Sequence, residues 1–318
     1  MVADSPEKNF GTNSTNTLKG VAVLLLLWHH LAAYALDVGQ FTALIGIYGK
    51  VCVAMFVFIS GYGLQSSQRQ GLRFQLFRIG RLYVNIGVME LLTVPFCIFV
   101  AGRTIEVVYG GSGYGEFILD LLCARGYNLL NPHWWYLNAI IFLYAIYPLL
   151  RKLLKINVGL PIVVAAILEM VRFCSGCGWA LTFVSGMIIA DQHLFERFEK
   201  RRWMWLAVLV LIGLSCAHFI SMRVDIIIAV LMSYLICYWR HSAIRSGLEF
   251  LGKHSMNIYF VHYFVYGVYG KDFFQTCPFA VGMICLLLSS LAISYVIEFS
   301  KGALRINALM SRLASRLA

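Results

Sequence analysis

Ten apolar runs follow one another along this chain, each about 16–22 residues long and so able, as a helix, to cross a hydrocarbon core of roughly 30 Å. They fall at 18–36, 44–65, 82–101, 133–150, 158–173, 177–191, 203–221, 223–239, 254–270 and 279–298. Of the 318 residues, 60% are hydrophobic and 13% charged, where a soluble domain averages roughly 45–50% and about 25%. Mean hydropathy is +0.76. A soluble fold of this length could not hide so much apolar surface, whereas lipid removes the need to hide it. The fold class read from this is all-α, a polytopic membrane protein of about ten transmembrane helices. No polar stretch is long enough for a soluble second domain, and no internal repeat of the transporter kind is visible. The organisation expected is one membrane domain over 18–300, a cytoplasmic tail at 1–17 and a basic cytoplasmic tail at 301–318.

A net charge of +11 invites a nucleic-acid reading, and its distribution supplies a simpler one. With residue 1 inside, the connections alternate. Lys8, Lys19, Arg69, Arg73, Arg78, Arg81, Arg151, Lys152, Lys155, Arg197, Lys200, Arg201, Arg202, Arg240, Arg245, Lys253, Lys301, Arg305, Arg312 and Arg316 then lie inside. Only Lys50, Arg103, Arg125, Arg172, Arg223 and Lys271 lie outside, so 20 of the 26 Lys and Arg are cytoplasmic. That is the positive-inside bias with both termini cytoplasmic, and it implies no nucleic-acid partner. Ala33-Tyr34-Ala35 resembles a signal-peptidase site, but the preceding region is long and weakly basic and two histidines interrupt the apolar core. The first run is therefore read as a span.

Polar residues inside spans are costly and point to cavities or partners. His29-His30 follows Leu24-Leu25-Leu26-Leu27-Trp28. With hydrocarbon beginning near Val21, His30 lies about 14 Å deep, near mid-membrane. Neutral imidazole is the form that accepts a proton from a hydroxyl. Lys19 precedes His30 by eleven residues, a turn that leaves only about 20° of residual rotation and an axial rise of about 16 Å. A cation at the cytoplasmic mouth and an imidazole at depth thus line one track, which suits a ligand with an anionic head and a long thin arm, such as coenzyme A.

The second run closes on Phe58-Ile59-Ser60-Gly61-Tyr62, where small residues permit close helix contact. Arg78 and Arg81 share a face if helical, and a guanidinium pair suits phosphate. Tyr259, His262 and Tyr266 form a polar stripe, and Glu90 and Glu169 are acids within apolar runs, with Arg172 a default partner for the second. His133-Trp134-Trp135-Tyr136 reads as an aromatic belt ahead of a sugar-stacking platform. The 102–132 connection, with Gly110-Gly111-Ser112-Gly113-Tyr114-Gly115, reads as a flexible surface loop, or a lid over an outward site. Nine cysteines carry no metal pattern, and no metal is expected. Cys174-Ser175-Gly176-Cys177, in an outside turn, has too few ligands nearby for one and is either a disulfide or two thiols.

These same residues carry a family resemblance. Lys19-x10-His30, Phe58-Ile59-Ser60-Gly61-Tyr62 and Arg78-x-x-Arg81 resemble the signature of the acyltransferase-3 family of integral membrane acyltransferases. His133-Trp134-Trp135-Tyr136-Leu137 with Tyr147-Pro148-Leu149-Leu150, and Gly252-Lys253-His254-Ser255 through Ile258-Tyr259 to His262, are similar to its central and late segments. The resemblance runs over roughly 15–300. It implies a ten-helix fold that moves an acyl group, usually acetyl, from cytoplasmic acyl-CoA to a hydroxyl of a sugar or related acceptor. By matching position His30 is the essential histidine, with His29 beside it as a second catalytic candidate. Lys19, Arg78 and Arg81 are the donor-binding residues. Ser60, Tyr62, Glu90, Trp135, Tyr259 and His262 are candidate cavity-lining residues.

No permanently bound cofactor is expected, and acetyl-CoA enters as co-substrate. The partners expected are the acyl-CoA donor, a glycan or lipid-linked sugar acceptor and the bilayer, here a bacterial cytoplasmic (inner) membrane. Many relatives carry an extra hydrolase-like domain; ending at Ala318, this chain is expected to deliver the acyl group directly. The rival reading is a transporter or flippase for a lipid-linked glycan, with the histidines on its path. A weaker one is a membrane sensor or scaffold.

Overall fold

The computed structural model describes residues 10–67, 71–110, 113–124, 128–172, 174, 176–198, 201–218, 224–239 and 242–316. Several residues of the sequence reading (Lys8, Arg69, Gly111, Ser112, Arg125, Ser175, Lys200, Arg223 and Arg240) lie outside the described residues. Helices in chain order are α1 (Thr12–Tyr34), α2 (Gln40–Tyr48), α3 (Val51–Gln65), α4 (Leu72–Phe99), α5 (Ile105–Tyr109), α6 (Tyr114–Leu121) and α7 (Trp135–Ile156). They continue as α8 (Gly159–Val171), α9 (Ala180–Asp191), α10 (Leu194–Arg197), α11 (Arg201–His218) and α12 (Asp225–Cys237). The last are α13 (Ala243–Lys253), α14 (Ser255–Tyr263), α15 (Lys271–Thr276), α16 (Phe279–Ala303) and α17 (Ile306–Arg316).

Every one of the ten apolar runs holds helix, and no strand occurs among the described residues. In lipid a helix satisfies its own main-chain donors and acceptors, so long apolar runs have that one local solution. Among the described residues, four helices are long and apolar enough to cross a membrane: Thr12–Tyr34, Gln40–Gln65, Arg73–Phe99 and Phe279–Ala303. Shorter apolar helices lie at Gly159–Val171, Cys177–Asp191, Trp203–Gly213 and Asp225–Cys237. The first span starts at Thr12, six residues ahead of the apolar run, because helix continues through the polar Thr12–Thr17 turns.

The helices form two compact units, Met1–Ser66 with Leu181–Met256, and Ser67–Ala180 with Asn257–Ala318. In the first, α1 is the central rod and packs on α2, α3, α12 and α13. Its crossing with α13 is very close. A Cβ added to Gly20 would stand 2.1 Å from the Leu248 oxygen, and one added to Gly252 would stand 1.9 Å from the Asn16 oxygen. Only glycine permits such main-chain approach, which brings the two helices into dense van der Waals contact. The same end of the crossing is polar. Arg245 Nε meets Glu249 Oε1 at 3.0 Å, Arg245 Nη2 donates to Ser14 Oγ at 3.2 Å, and Thr17 Oγ1 donates to Glu249 Oε1 at 3.5 Å. Arg245, counted from sequence as an inside charge, is thus a buried link between helices.

In the second unit α7 packs on α4 and α8, and α4 meets α16 and α17. Gln75 Nε2 donates to the Tyr144 oxygen at 3.3 Å, tying α4 to α7. Asn257 Nδ2 donates to Ser294 Oγ at 3.0 Å and to Glu298 Oε1 at 2.8 Å, and Lys301 Nζ meets the same Glu298 oxygen at 2.8 Å. Lys301 Nζ also donates to Asn257 Oδ1 at 3.4 Å, so this buried cation of α16 is tied to α14.

The 102–132 connection contains α5 and α6 and is organised around Asp120, which is fully buried. Tyr109 Oη and the Leu129 main-chain N–H both donate to Asp120 Oδ2, at 2.8 and 2.7 Å. Asn128 Nδ2 reaches the Asp120 main-chain oxygen at 2.9 Å. Where a flexible surface loop is expected from sequence, the described residues 102–110, 113–124 and 128–132 are structured, with Gly111 and Ser112 of the glycine run outside them. One buried carboxylate collects donors from both sides of α6, a long-range arrangement that glycine content does not reveal.

Candidate active site

In the first unit, α1 is helical without interruption from Thr12 to Tyr34 and carries Lys19, His29 and His30, each half-buried. The one-face relation between Lys19 and His30 therefore holds along a single rod, about 16 Å apart along its axis. His29, one residue earlier, is rotated about 100° away and turns toward α2. Its Nδ1 lies 2.6 Å from the Gly46 main-chain oxygen. A carbonyl oxygen only accepts, so Nδ1 is the donor in this bond.

Two glycines make this contact possible. A Cβ on Gly46 would fall 2.6 Å from Ala32 Cβ, and one on Gly49 would fall 2.6 Å from the Leu25 oxygen and 2.8 Å from His29 Cβ. Trp28 Nε1 adds a bond to the Thr42 oxygen at 3.0 Å. The His29 and His30 rings are 4.9 Å apart at 55°. The adjacent histidines thus have distinct surroundings: His29 is tethered to α2, and His30 lies on the Lys19 face of α1.

Ser60 donates to the Phe56 oxygen of its own helix at 2.9 Å. Tyr62 meets Phe10 edge-on at 5.0 Å and stacks on Phe195 at 6.2 Å. Between them Gly61 receives α9, its missing Cβ lying 2.0 Å from the Phe183 oxygen. This helix end is a tight packing joint with an aromatic cluster beside it.

The second unit holds the remaining candidates. Arg78 and Arg81 lie one turn apart on α4, Arg78 half-buried over the Phe74 ring at 4.8 Å and Arg81 exposed. Further along α4, Glu90 is half-buried, and its Oε1 meets no hydrogen-bond partner among the described residues. Trp135 stacks on Trp179 at 6.2 Å and 24°.

His262, fully buried, donates from Nδ1 to the Tyr259 oxygen at 2.7 Å. Its ring lies over that of His133 at 5.0 Å and 24°. His133 Nε2 pairs with Tyr266 Oη at 2.7 Å, and Tyr259 Oη donates to the His133 main-chain oxygen. Asn131 fixes the approach, accepting from the His133 N–H at 3.0 Å and donating to the Phe260 oxygen at 3.2 Å. Here α14 passes into a π-helical turn, Phe264–Tyr269, a local widening found often at functional sites.

A family model described as an acyltransferase domain matches residues 13–299, from the first turn of α1 almost to the end of α16. The chain belongs to the acyltransferase-3 family. It is a membrane acyltransferase. No curated protein and no solved structure matches it.

Within this acyltransferase the sequence-predicted residues divide cleanly. Lys19, His29, His30, Ser60 and Tyr62 belong to the first unit, and Arg78, Arg81, Glu90, Trp135, Tyr259 and His262 to the second. Two polar residues of the acyltransferase were not singled out from sequence. His133 was read as part of an aromatic belt, yet it sits in a histidine–tyrosine cluster; the available signal was an imidazole heading that belt. Asp120 was missed altogether, and the signal was one acid inside the apolar Phe117-Ile118-Leu119-Asp120-Leu121-Leu122.

Proposed function

We propose that this acyltransferase moves an acetyl group from cytoplasmic acetyl-CoA to a hydroxyl of a cell-surface glycan or lipid-linked sugar, in a bacterial cytoplasmic membrane. In this reading all ten apolar runs cross and both termini are cytoplasmic, following the charge alternation. Lys19, Arg78 and Arg81 bind the CoA phosphates, and His30 is the general base. His30 takes the acceptor proton as the hydroxyl oxygen attacks the thioester carbon. The C–S bond then breaks, and the imidazolium returns its proton to the leaving thiolate.

The observation that carries the reading is the unbroken α1, which keeps Lys19 and His30 on one face about 16 Å apart. That length suits a phosphate held at one end and a thioester presented at the other. His29, held by the Gly46 carbonyl, supports the neighbouring ring by fixing α1 against α2.

Purified protein in lipid nanodiscs, supplied with radiolabelled acetyl-CoA and a membrane-glycan extract, tests the reading. Wild type should transfer label, and His30→Ala should lose transfer by at least about 10²-fold. Full transfer by His30→Ala would end the assignment. Acetyl-CoA should raise the melting temperature where free acetate does not, and Arg78→Ala/Arg81→Ala should weaken that shift. A transporter or flippase would give no acetyl-CoA shift.

A further inference from the structure

The turn between α8 and α9 carries two cysteines that the acyl-transfer reading does not use. The Cys177 main-chain N–H donates to the Cys174 oxygen at 3.1 Å. The two Sγ atoms are 3.4 Å apart. Cys174 is partly exposed and Cys177 buried. Closure to a disulfide bond of roughly 2.03–2.05 Å needs only a small side-chain adjustment. The turn is seated firmly. A Cβ on Gly176 would fall 2.9 Å from the Ala139 oxygen and 2.5 Å from Phe142 Cδ1, both on α7. Trp179, two residues after Cys177, stacks on Trp135 at the start of α7.

We propose that Cys174 and Cys177 are a redox pair, closed to an intrachain disulfide in the membrane-embedded protein, that holds Gly176 in place against the outer end of α7. The proposal rests on the ten-span topology, which puts the turn on the outer face, where disulfides form and persist. The chemistry is thiol–disulfide exchange. One cysteine thiolate attacks an external disulfide, carried by a small molecule or an exchange protein, and expels one thiolate from it. The second cysteine then attacks the mixed disulfide and expels the other. Two S–H bonds are lost and one S–S bond forms. The two protons and two electrons end on the external disulfide, which leaves as two thiols.

Membranes from cells quenched in N-ethylmaleimide provide the test, read by mass spectrometry of the peptide that holds both cysteines. The expected result is a peptide two hydrogens lighter than the dithiol, unlabelled until reductant is added. Cys177→Ser and, separately, Cys174→Ser should leave the remaining cysteine labelled without reductant. Each serves as the control should the other fail to fold. Maleimide on both cysteines without reductant, found again when membranes are incubated with oxidised glutathione before the quench, overturns the proposal. A membrane-impermeant maleimide applied to intact, reductant-treated cells then separates the causes. Labelling from outside locates the failure in the pair, and labelling only after permeabilisation locates it in the topology.

Discussion

The Nδ1 atom of His29 lies 2.6 Å from the main-chain oxygen of Gly46, and this bond gives two adjacent histidines different surroundings. A ring tethered through Nδ1 fixes one helix against another, and in the proposed reading its neighbour on the Lys19 face carries the chemistry. Removing His29 leaves the Gly46 oxygen without its donor, a loss worth about 1–3 kcal/mol when buried. His29→Ala is therefore expected to lower the melting temperature and keep measurable transfer, and His30→Ala to do the reverse. Melting curves and transfer rates on both variants decide it. Abolished transfer in His29→Ala at an unchanged melting temperature would reassign the base to His29.

The α1–α13 crossing predicts a sharp contrast between glycines. Gly252→Ala drives a methyl group to 1.9 Å from the Asn16 oxygen, whereas a Cβ on Gly63 meets nothing within 4 Å. Overpacking costs about 1–3 kcal/mol, occasionally more, and main chain yields less readily than a side-chain tip. Gly252→Ala should lose most of its monodisperse peak in fluorescence-detected size exclusion, and Gly63→Ala should match wild type. Equal profiles would mean that the helices do not cross so closely.

Asp120 is the hub of the 102–132 connection. Asp120→Ala strands the donors of Tyr109 and Leu129, each then short of a partner at about 1–3 kcal/mol if it stays buried. Limited proteolysis should cut this connection several-fold faster in the variant. Because Asn128, Asn131 and His133 follow in the same chain of bonds, acyl transfer should fall as well. An unaltered cleavage pattern would refute the hub.

Cys123 lies in the same connection, and burial pushes its thiol up, with the Glu90 and Asp120 charges acting in the same direction. The folded thiol holds its proton at a pH where the unfolded thiol, near 8.5, gives it up. The folded state then binds more protons, so this contribution is fully present below about pH 8.5 and is lost as pH rises beyond it. N-ethylmaleimide at pH 8.5 should leave Cys123 unmodified in native protein and modify it rapidly in denaturant. Stability should decline on the alkaline side, less steeply in Cys123→Ala. Fast native labelling would contradict the burial.

Residues 44–65 and 82–101 show how far local pattern reaches. An apolar run in lipid has the helix as its only local solution, so both runs were legible as helix, as were the other eight. The order of Lys19, His30, the Phe58–Tyr62 end, Arg78 and Arg81 likewise carried the family, because those residues stand at fixed spacings within single helices. Spacing within one helix also determined that Lys19 and His30 share a face, for helical geometry is the same everywhere along a rod.

Tertiary structure decided what depends on the partner of each face. It turned His29 to the Gly46 carbonyl, set His133 against Tyr266 and His262, and buried Asp120 beneath Tyr109 and Leu129. It also linked the buried Arg245 to Ser14 on α1 and the buried Lys301 to Asn257 on α14, though charge counting treats both like any other cation. Each of these contacts joins residues from separate helices or turns, across distances set by close packing at glycines and by shared acceptors. Hydropathy and spacing run along the chain and carry no record of such approaches. The sequence determined which segments are helical and which family they build, and only packing determined which polar group each imidazole meets.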